Sequence, residues 1–195
     1  MNARRVVTVA VLIMAEIPVA WAAAPVTPAS VWREVQALQR QHAIMPGSTP
    51  YQWGSRTIDY YTVDLSNAAT NRAMAAAGGI RKTTKYPNGA LLVKENFNKD
   101  KKETGVTAML KLSGFDAADR DWVMASYTPD GHVTGFGKIK SCISCHVMVK
   151  RADFVFAPPP RQLLSQAVWH AFFPAQRMSP AYVALLKKHP KAIVR

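Results

Sequence analysis

One stretch of the chain decides the fold: Tyr86-Pro87-Asn88-Gly89-Ala90-Leu91-Leu92-Val93-Lys94-Glu95-Asn96-Phe97. It opens with a Pro-Asn-Gly turn signal and continues with mainly apolar residues, a pattern typical of a strand that follows a tight turn. Because successive side chains of a strand point to opposite faces, one face takes Ala90, Leu92, Lys94 and Asn96, and the other takes Leu91, Val93, Glu95 and Phe97. The stretch therefore predicts a strand over 90–97.

Further strands are predicted on both sides of this stretch. Segments rich in β-branched, apolar and aromatic residues lie at 57–64, 106–112 and 122–128, and the last of them ends in the turn signal Pro129-Asp130-Gly131. One helix is predicted to begin at Pro28, in the segment that Met45-Pro46-Gly47 closes. A second is predicted over the Ala-rich segment 66–77. The pattern predicts a mainly β chain of the α+β class with a few short helices.

The only two cysteines of the chain fall in one run, Cys142-Ile143-Ser144-Cys145-His146. A C-x-x-C-H run is the attachment site of a c-type haem: two thiols bind the vinyl groups and the histidine becomes an axial iron ligand. A redox dithiol or half of a zinc site would also use a C-x-x-C pair, but no second Cys pair exists to complete a zinc cage. The run predicts one covalently attached haem c held by Cys142 and Cys145, with His146 on the iron.

The N-terminus predicts export. Arg4 and Arg5, an apolar stretch and small residues around Ala22 form a secretory signal peptide over residues 1–22. Its removal would leave no membrane-spanning segment, and a bacterial periplasmic location follows. The net charge of +13 fits nucleic acid, an anionic membrane surface or an acidic protein. Export argues against nucleic acid and favours an acidic redox partner or the membrane surface.

Several motifs together resemble the cytochrome P-460 family. In order, they are the stretch 86–97, Val106–Leu112, Asp121-Trp122, Tyr127–Gly131, the C-x-x-C-H run and Asp153-Phe154-Val155-Phe156. The resemblance spans about residues 32–157. It implies an antiparallel β-sheet core, a homodimer, and one five-coordinate haem c with His146 proximal and the distal side open.

The resemblance also implies a role for Lys94, because in enzymes of the family a lysine at the matching position is joined covalently to the haem edge. If the face that carries Lys94 meets the haem, the amine has apolar neighbours, and burial would lower its pKa and make it nucleophilic. The alternative is a strand lysine whose ammonium lies in solvent beside Glu95.

At Met109 the chain departs from the family's hydroxylamine oxidases, which carry a carboxylate near the distal pocket where a general base could act. Glu103 and Asp116 flank this strand without replacing that acid. Met109 is therefore the candidate distal residue, and an apolar distal pocket favours binding of diatomic gases. As a sixth ligand, Met109 would instead make the protein a His/Met electron carrier, although a strand methionine is more often core filler.

Three regions result: the signal peptide 1–22, a cytochrome P-460-like haem domain over 23–160, and a basic helical C-terminal extension over 161–195. The extension follows Pro158-Pro159-Pro160 and contains an apolar helical stripe over 163–172 and a second short helix from Ser179-Pro180. It contains six basic residues and no acid, which fits either a flap on the body or a docking surface.

Three functions remain open. The first is an enzyme, an oxidoreductase that acts on hydroxylamine and also on nitric oxide. A protein that binds nitric oxide or other diatomic gases without turnover, like the cytochrome c-prime-beta relatives, is the second. The third is an electron-transfer cytochrome, which would require a sixth ligand from the protein.

Overall fold

The computed structural model describes residues 25–45, 51–53, 60–157, 163–172, 174, 180–188, 190 and 193–194. The predicted signal peptide and Pro158-Pro159-Pro160 lie outside these residues. The helices are α1 (Pro28–Gln41), α2 (Ala68–Ala77), α3 (Lys140–His146), α4 (Gln166–Phe172) and α5 (Pro180–Lys188). Short 3-10 helices cover Ile80–Lys82, Ala117–Asp119 and Val147–Ala152.

Six strands form one antiparallel sheet in the order of the sequence. They are β1 (Tyr51–Trp53), β2 (Tyr60–Ser66), β3 (Leu91–Asn98), β4 (Glu103–Lys111), β5 (Trp122–Tyr127) and β6 (Val133–Gly137). A separate parallel pair joins β7 (Leu163–Leu164) to β8 (Ile193–Val194). The expected fold class, a mainly β core of antiparallel strands with short helices, is confirmed.

One face of the sheet packs against α1. Thr27 caps this helix through its hydroxyl, which accepts a hydrogen bond from the Ser30 amide, and His42 ends it in the left-handed conformation. The cluster that we call the first core is buried between α1 and this face: Val31, Val35, Leu38, Val63, Leu65, Leu91, Val93, Phe97, Val106, Ala108, Ala125 and Tyr127. The face assigned to Leu91, Val93, Glu95 and Phe97 is thus the α1 face.

The opposite face packs against α2 and the segment that carries the C-x-x-C-H run. We call its buried cluster the second core: Met45, Met74, Tyr86, Ala90, Met109, Trp122, Met124, Phe154 and Val155. Cys142 and Ile143 of α3 pack against it. The sheet therefore separates a structural core from the face that holds the candidate chemistry.

Three sequence predictions need correction. β4 begins at Glu103 rather than Val106, and β6 was not predicted at all. In the C-terminal extension, Leu163 and Leu164 form a short strand, so α4 begins only at Gln166. Among the described residues, no helix is long and apolar enough to cross a membrane.

Candidate haem centre

The C-x-x-C-H run lies on α3 and the turn that follows it. Residues three apart on a helix lie on the same side, so the helical spacing brings the two thiols together. Cys142 is half-buried against the second core, whereas Cys145 is exposed, and both are free thiols. One side of α3 thus presents both sulfur atoms next to His146.

The imidazole of His146 is held by a backbone carbonyl. Its Nδ1 lies 2.6 Å from the Phe154 carbonyl oxygen. Because a carbonyl can only accept, Nδ1 carries the proton and the Nε2 lone pair is available to a metal. The pKa of His146 is lowered by burial, while the bond to Phe154 raises it and the Lys94 ammonium lowers it. This donor set fits a haem c whose iron is bound by His146.

A tight bend brings the Phe154 carbonyl to His146. After the 3-10 helix Val147–Ala152, Asp153 and Phe154 both adopt the left-handed region, with φ of 55° and 65°. Both residues are buried, at 1% and 0% exposure. The Phe156 ring then lies edge-on to the His146 ring, with 5.2 Å between the centroids. The bend therefore folds the chain back over the imidazole.

Lys94 lies on the face of the sheet that carries the second core. This is the same face as Ala90 and Leu92, as the alternation of the strand predicted. It is half-buried, and its ammonium is close enough to His146 to influence the pKa of the imidazole. Its cross-strand neighbours are Asp64 on β2 and Thr107 on β4. The residues directly opposite Lys94 on both neighbouring strands are thus polar, whereas the sequence analysis expected apolar neighbours.

Asp64 is the site residue that the sequence analysis missed. Residues directly opposite each other in an antiparallel pair point to the same face, so Asp64 shares the face of Lys94, and it is 9% exposed. Its position within the alternating segment of β2 was visible in the sequence. Its pairing with Lys94 was not, because only the strand register shows it.

Met109 belongs to the buried second core and pairs with Met124 on β5. Of the two acids that flank its strand, Glu103 pairs with Phe97, a first-core residue on the α1 face. Asp116 binds the ammonium of Lys138 at 2.8 Å. In the described part of the chain, neither Glu103 nor Asp116 takes the place of the carboxylate that the family resemblance leads one to expect at position 109.

Two of the other described histidines have ordinary surroundings. His132 is exposed and lies 3.2 Å from Asp130, and His42 is the C-terminal cap of α1. Across the described ranges, no group of three His, Cys, Asp or Glu side chains could hold a bare metal ion. Met148, next to the haem motif, is 71% exposed.

Two comparisons bear on this site. No curated protein sequence matches the chain. The family model described as Cytochrome P-460 matches residues 63–157, from β2 to just beyond the bend that holds His146.

Proposed function

Residues 63–157 belong to the cytochrome P-460 family, a family of haem-binding cytochromes, and from this premise we propose that the protein is a mono-haem c-type cytochrome that oxidises hydroxylamine. Cys142 and Cys145 provide the two thioether links, and His146 provides the proximal nitrogen. A haem bound here supplies an iron that can hold a small nitrogen ligand and take up its electrons.

One observation carries the enzymatic proposal: a lysine and an aspartate occupy directly opposite positions on the face of the sheet against which α3 packs. Lys94 and Asp64 are paired across β3 and β2, and both are at least half-buried. Hydroxylamine gives up protons and electrons in equal number when it is oxidised. On this proposal the Asp64 carboxylate accepts protons from the substrate, and the Lys94 amine is the group that could be joined to the haem edge.

The electrons leave to a second protein. The net charge of +13 favours an acidic redox partner. The proposal includes the periplasm as the compartment, since residues 1–22 have the pattern of a secretory signal and C-x-x-C-H haems are attached outside the cytoplasm. It also includes the homodimer that the family resemblance implies.

The decisive experiment measures acceptor reduction by the purified holoprotein with hydroxylamine. We expect turnover in the wild type and a loss of about 10²- to 10⁴-fold in Asp64→Asn, the usual contribution of a positioned acid or base. Asp100→Asn, an exposed acid in the β3–β4 turn, is the matched control and should keep full activity. Hydroxylamine binding without any acceptor reduction would overturn the enzymatic proposal.

The cross-link has a separate test. After denaturation and digestion, a peptide containing Lys94 should remain attached to haem in addition to the peptide with Cys142 and Cys145. Lys94→Arg should abolish this attachment, whereas Lys99→Arg, at an exposed position of the same hairpin, should not. Haem held only through the two cysteines in the wild type would contradict the cross-link.

A second candidate function, binding of nitric oxide without turnover, is favoured by Met109. On β4 the position expected for a carboxylate is a methionine in the second core, and apolar surroundings suit a diatomic ligand. If Asp64→Asn and the wild type bind nitric oxide equally and neither oxidises hydroxylamine, this function is the better account.

A further inference from the structure

Asp153 forms a buried ion pair beneath the haem motif. Both carboxylate oxygens lie 2.8 Å from the Lys111 ammonium, and the side chains of Asp153 and Lys111 are 1% and 10% exposed. The Arg120 guanidinium is 4.0 Å away and partly exposed. The pair joins the segment after the C-x-x-C-H run to the end of β4.

Two further hydrogen bonds fix the same residue. The Tyr86 amide donates to Asp153 Oδ2 at 2.8 Å, and the Trp122 indole Nε1 donates to the Asp153 carbonyl at 2.7 Å. Lys111 Nζ also lies 4.7 Å from the centre of a Trp122 ring. Asp153 is thus held through its side chain and its main chain by three different parts of the fold.

The next residue carries the carbonyl that binds His146. Asp153 and Phe154 both have positive φ, a conformation that is unfavourable for a non-glycine residue and that surrounding contacts must maintain. Phe154 presents its carbonyl oxygen to His146 Nδ1 at 2.6 Å only while this bend persists.

Stability alone is a weak explanation for such a pair. Removing two charges from water is costly, and well-packed apolar residues often stabilise a protein equally well. An ion pair does, however, define a geometry. The Lys111–Asp153 pair lies one residue away from the only acceptor that the structure gives to His146 Nδ1 within the described residues.

We propose that Asp153, held by Lys111, is a positioning residue for His146: it fixes the Phe154 carbonyl and thereby sets the orientation and donor strength of the imidazole towards the haem iron. This inference rests on the proposed haem site. A strong hydrogen bond from Nδ1–H makes Nε2 a better donor to the metal, which favours ferric iron and lowers the reduction potential.

The test compares variants of the holoprotein in the ferrous state by resonance Raman spectroscopy and by potentiometry. Asp153→Asn and Lys111→Met should each lower the iron–histidine stretching frequency and raise the reduction potential. Val63→Ala, in the first core on the other face of the sheet, should lower stability without changing either value. If both variants keep the wild-type frequency and potential, the inference is overturned.

Trp122→Phe provides a second variant in case the charge changes prevent folding. It removes the indole donor to the Asp153 carbonyl and leaves the charges of Lys111 and Asp153 in place. We therefore expect a smaller shift in the same directions, and wild-type values would overturn the inference. These readouts do not depend on hydroxylamine turnover. A wild type that incorporates no haem would refute the proposed function, whereas haem-loaded variants with unchanged spectra would refute the positioning role alone.

Discussion

At the level of single residues, the buried carboxylate of Glu95 is the least expected group. Its side chain is 3% exposed on the α1 face, and Gln39 Nε2 donates to its Oε1 at 2.8 Å. Its Oε2 has no hydrogen-bond partner among the described residues. Burial raises the pKa of Glu95 to about 8 and that of nearby Glu103 to about 7. Glu95 is therefore mainly protonated at neutral pH.

This predicts a pH dependence of stability. A carboxyl group whose pKa is raised by folding stabilises the protein fully below its unfolded pKa, near 4.5, and this contribution is lost as the pH rises towards about 8. We expect the free energy of unfolding in urea to fall across this window, with Glu95 alone contributing up to roughly 1.4 kcal/mol per pH unit.

Glu95→Gln should flatten this fall, because the amide keeps an acceptor for Gln39 and does not ionise. Glu34→Gln, at an exposed position on α1, should leave the slope unchanged. Parallel slopes for wild type and Glu95→Gln would show that Glu95 ionises freely in the folded protein.

The two thiols predict a graded loss of covalent haem. With Cys142→Ala or Cys145→Ala, one thioether remains and haem should stay with the polypeptide after acid–acetone extraction. The double variant should release all of its haem, apart from any held through Lys94. Mass spectrometry of the extracted protein measures each outcome, and quantitative release from either single variant would contradict two-point attachment.

At the level of elements, the β5–β6 turn is fixed by its contact with α1. Gly131 has a φ of +92°, and a Cβ built on it would overlap the Trp32 indole. Gly114 also has a positive φ, +83°, but a Cβ there would meet no described atom within 4 Å. At both positions any other residue would have a strained backbone. Only at Gly131 would the added Cβ also collide with a neighbouring side chain.

We expect Gly131→Ala to lower the free energy of unfolding by about 2–4 kcal/mol, the sum of a strained φ and overpacking. Gly114→Ala should cost only the strain, about 1 kcal/mol. Chemical denaturation measures both values. Equal losses would mean that the turn moves away from Trp32 at little cost.

The elements also show how far the sequence can be interpreted. β3 was predictable because the Pro-Asn-Gly turn precedes a run of mainly apolar residues, and α1 because Thr27 and Pro28 begin it. β6 was missed because its sequence Val-Thr-Gly-Phe-Gly contains two glycines, which weaken a strand. Pairing with β5 overrides that preference, and only the register of the paired strands could have placed Asp64 beside Lys94.

At the level of the whole molecule, helices α4 and α5 of the C-terminal extension and the haem motif pack on opposite faces of the sheet. Ala171 of α4 and Leu186 of α5 pack against the first core, on the α1 face. Exposed cations lie on α3 itself, at Lys140, and a few residues beyond His146, at Lys150 and Arg151. An acidic partner that takes electrons should therefore dock at these residues rather than on the extension.

This predicts that Lys150→Gln combined with Arg151→Gln slows electron transfer to an acidic partner, with the largest effect at low ionic strength. The matched control combines Arg33→Gln and Arg40→Gln, which remove two exposed charges from α1. Stopped-flow rates across a salt series measure both pairs. Equal slowing would indicate a response to net charge alone, and a larger effect from deletion of residues 161–195 would restore the extension as the docking surface.

The order of the six strands also has a kinetic consequence. Every ladder of this sheet joins strands that are neighbours in the sequence, but the connections differ in length: a short turn links β3 to β4, whereas α2 lies between β2 and β3. The β3–β4 hairpin, which has the shorter loop to close of these two, is therefore expected to form before β2 joins it. The Lys111–Asp153 pair joins residues that are 42 apart in the sequence, so closing its loop costs more chain entropy than closing the β3–β4 turn. We therefore expect the histidine to reach its orientation towards the iron only after the hairpin that carries Lys94 has formed.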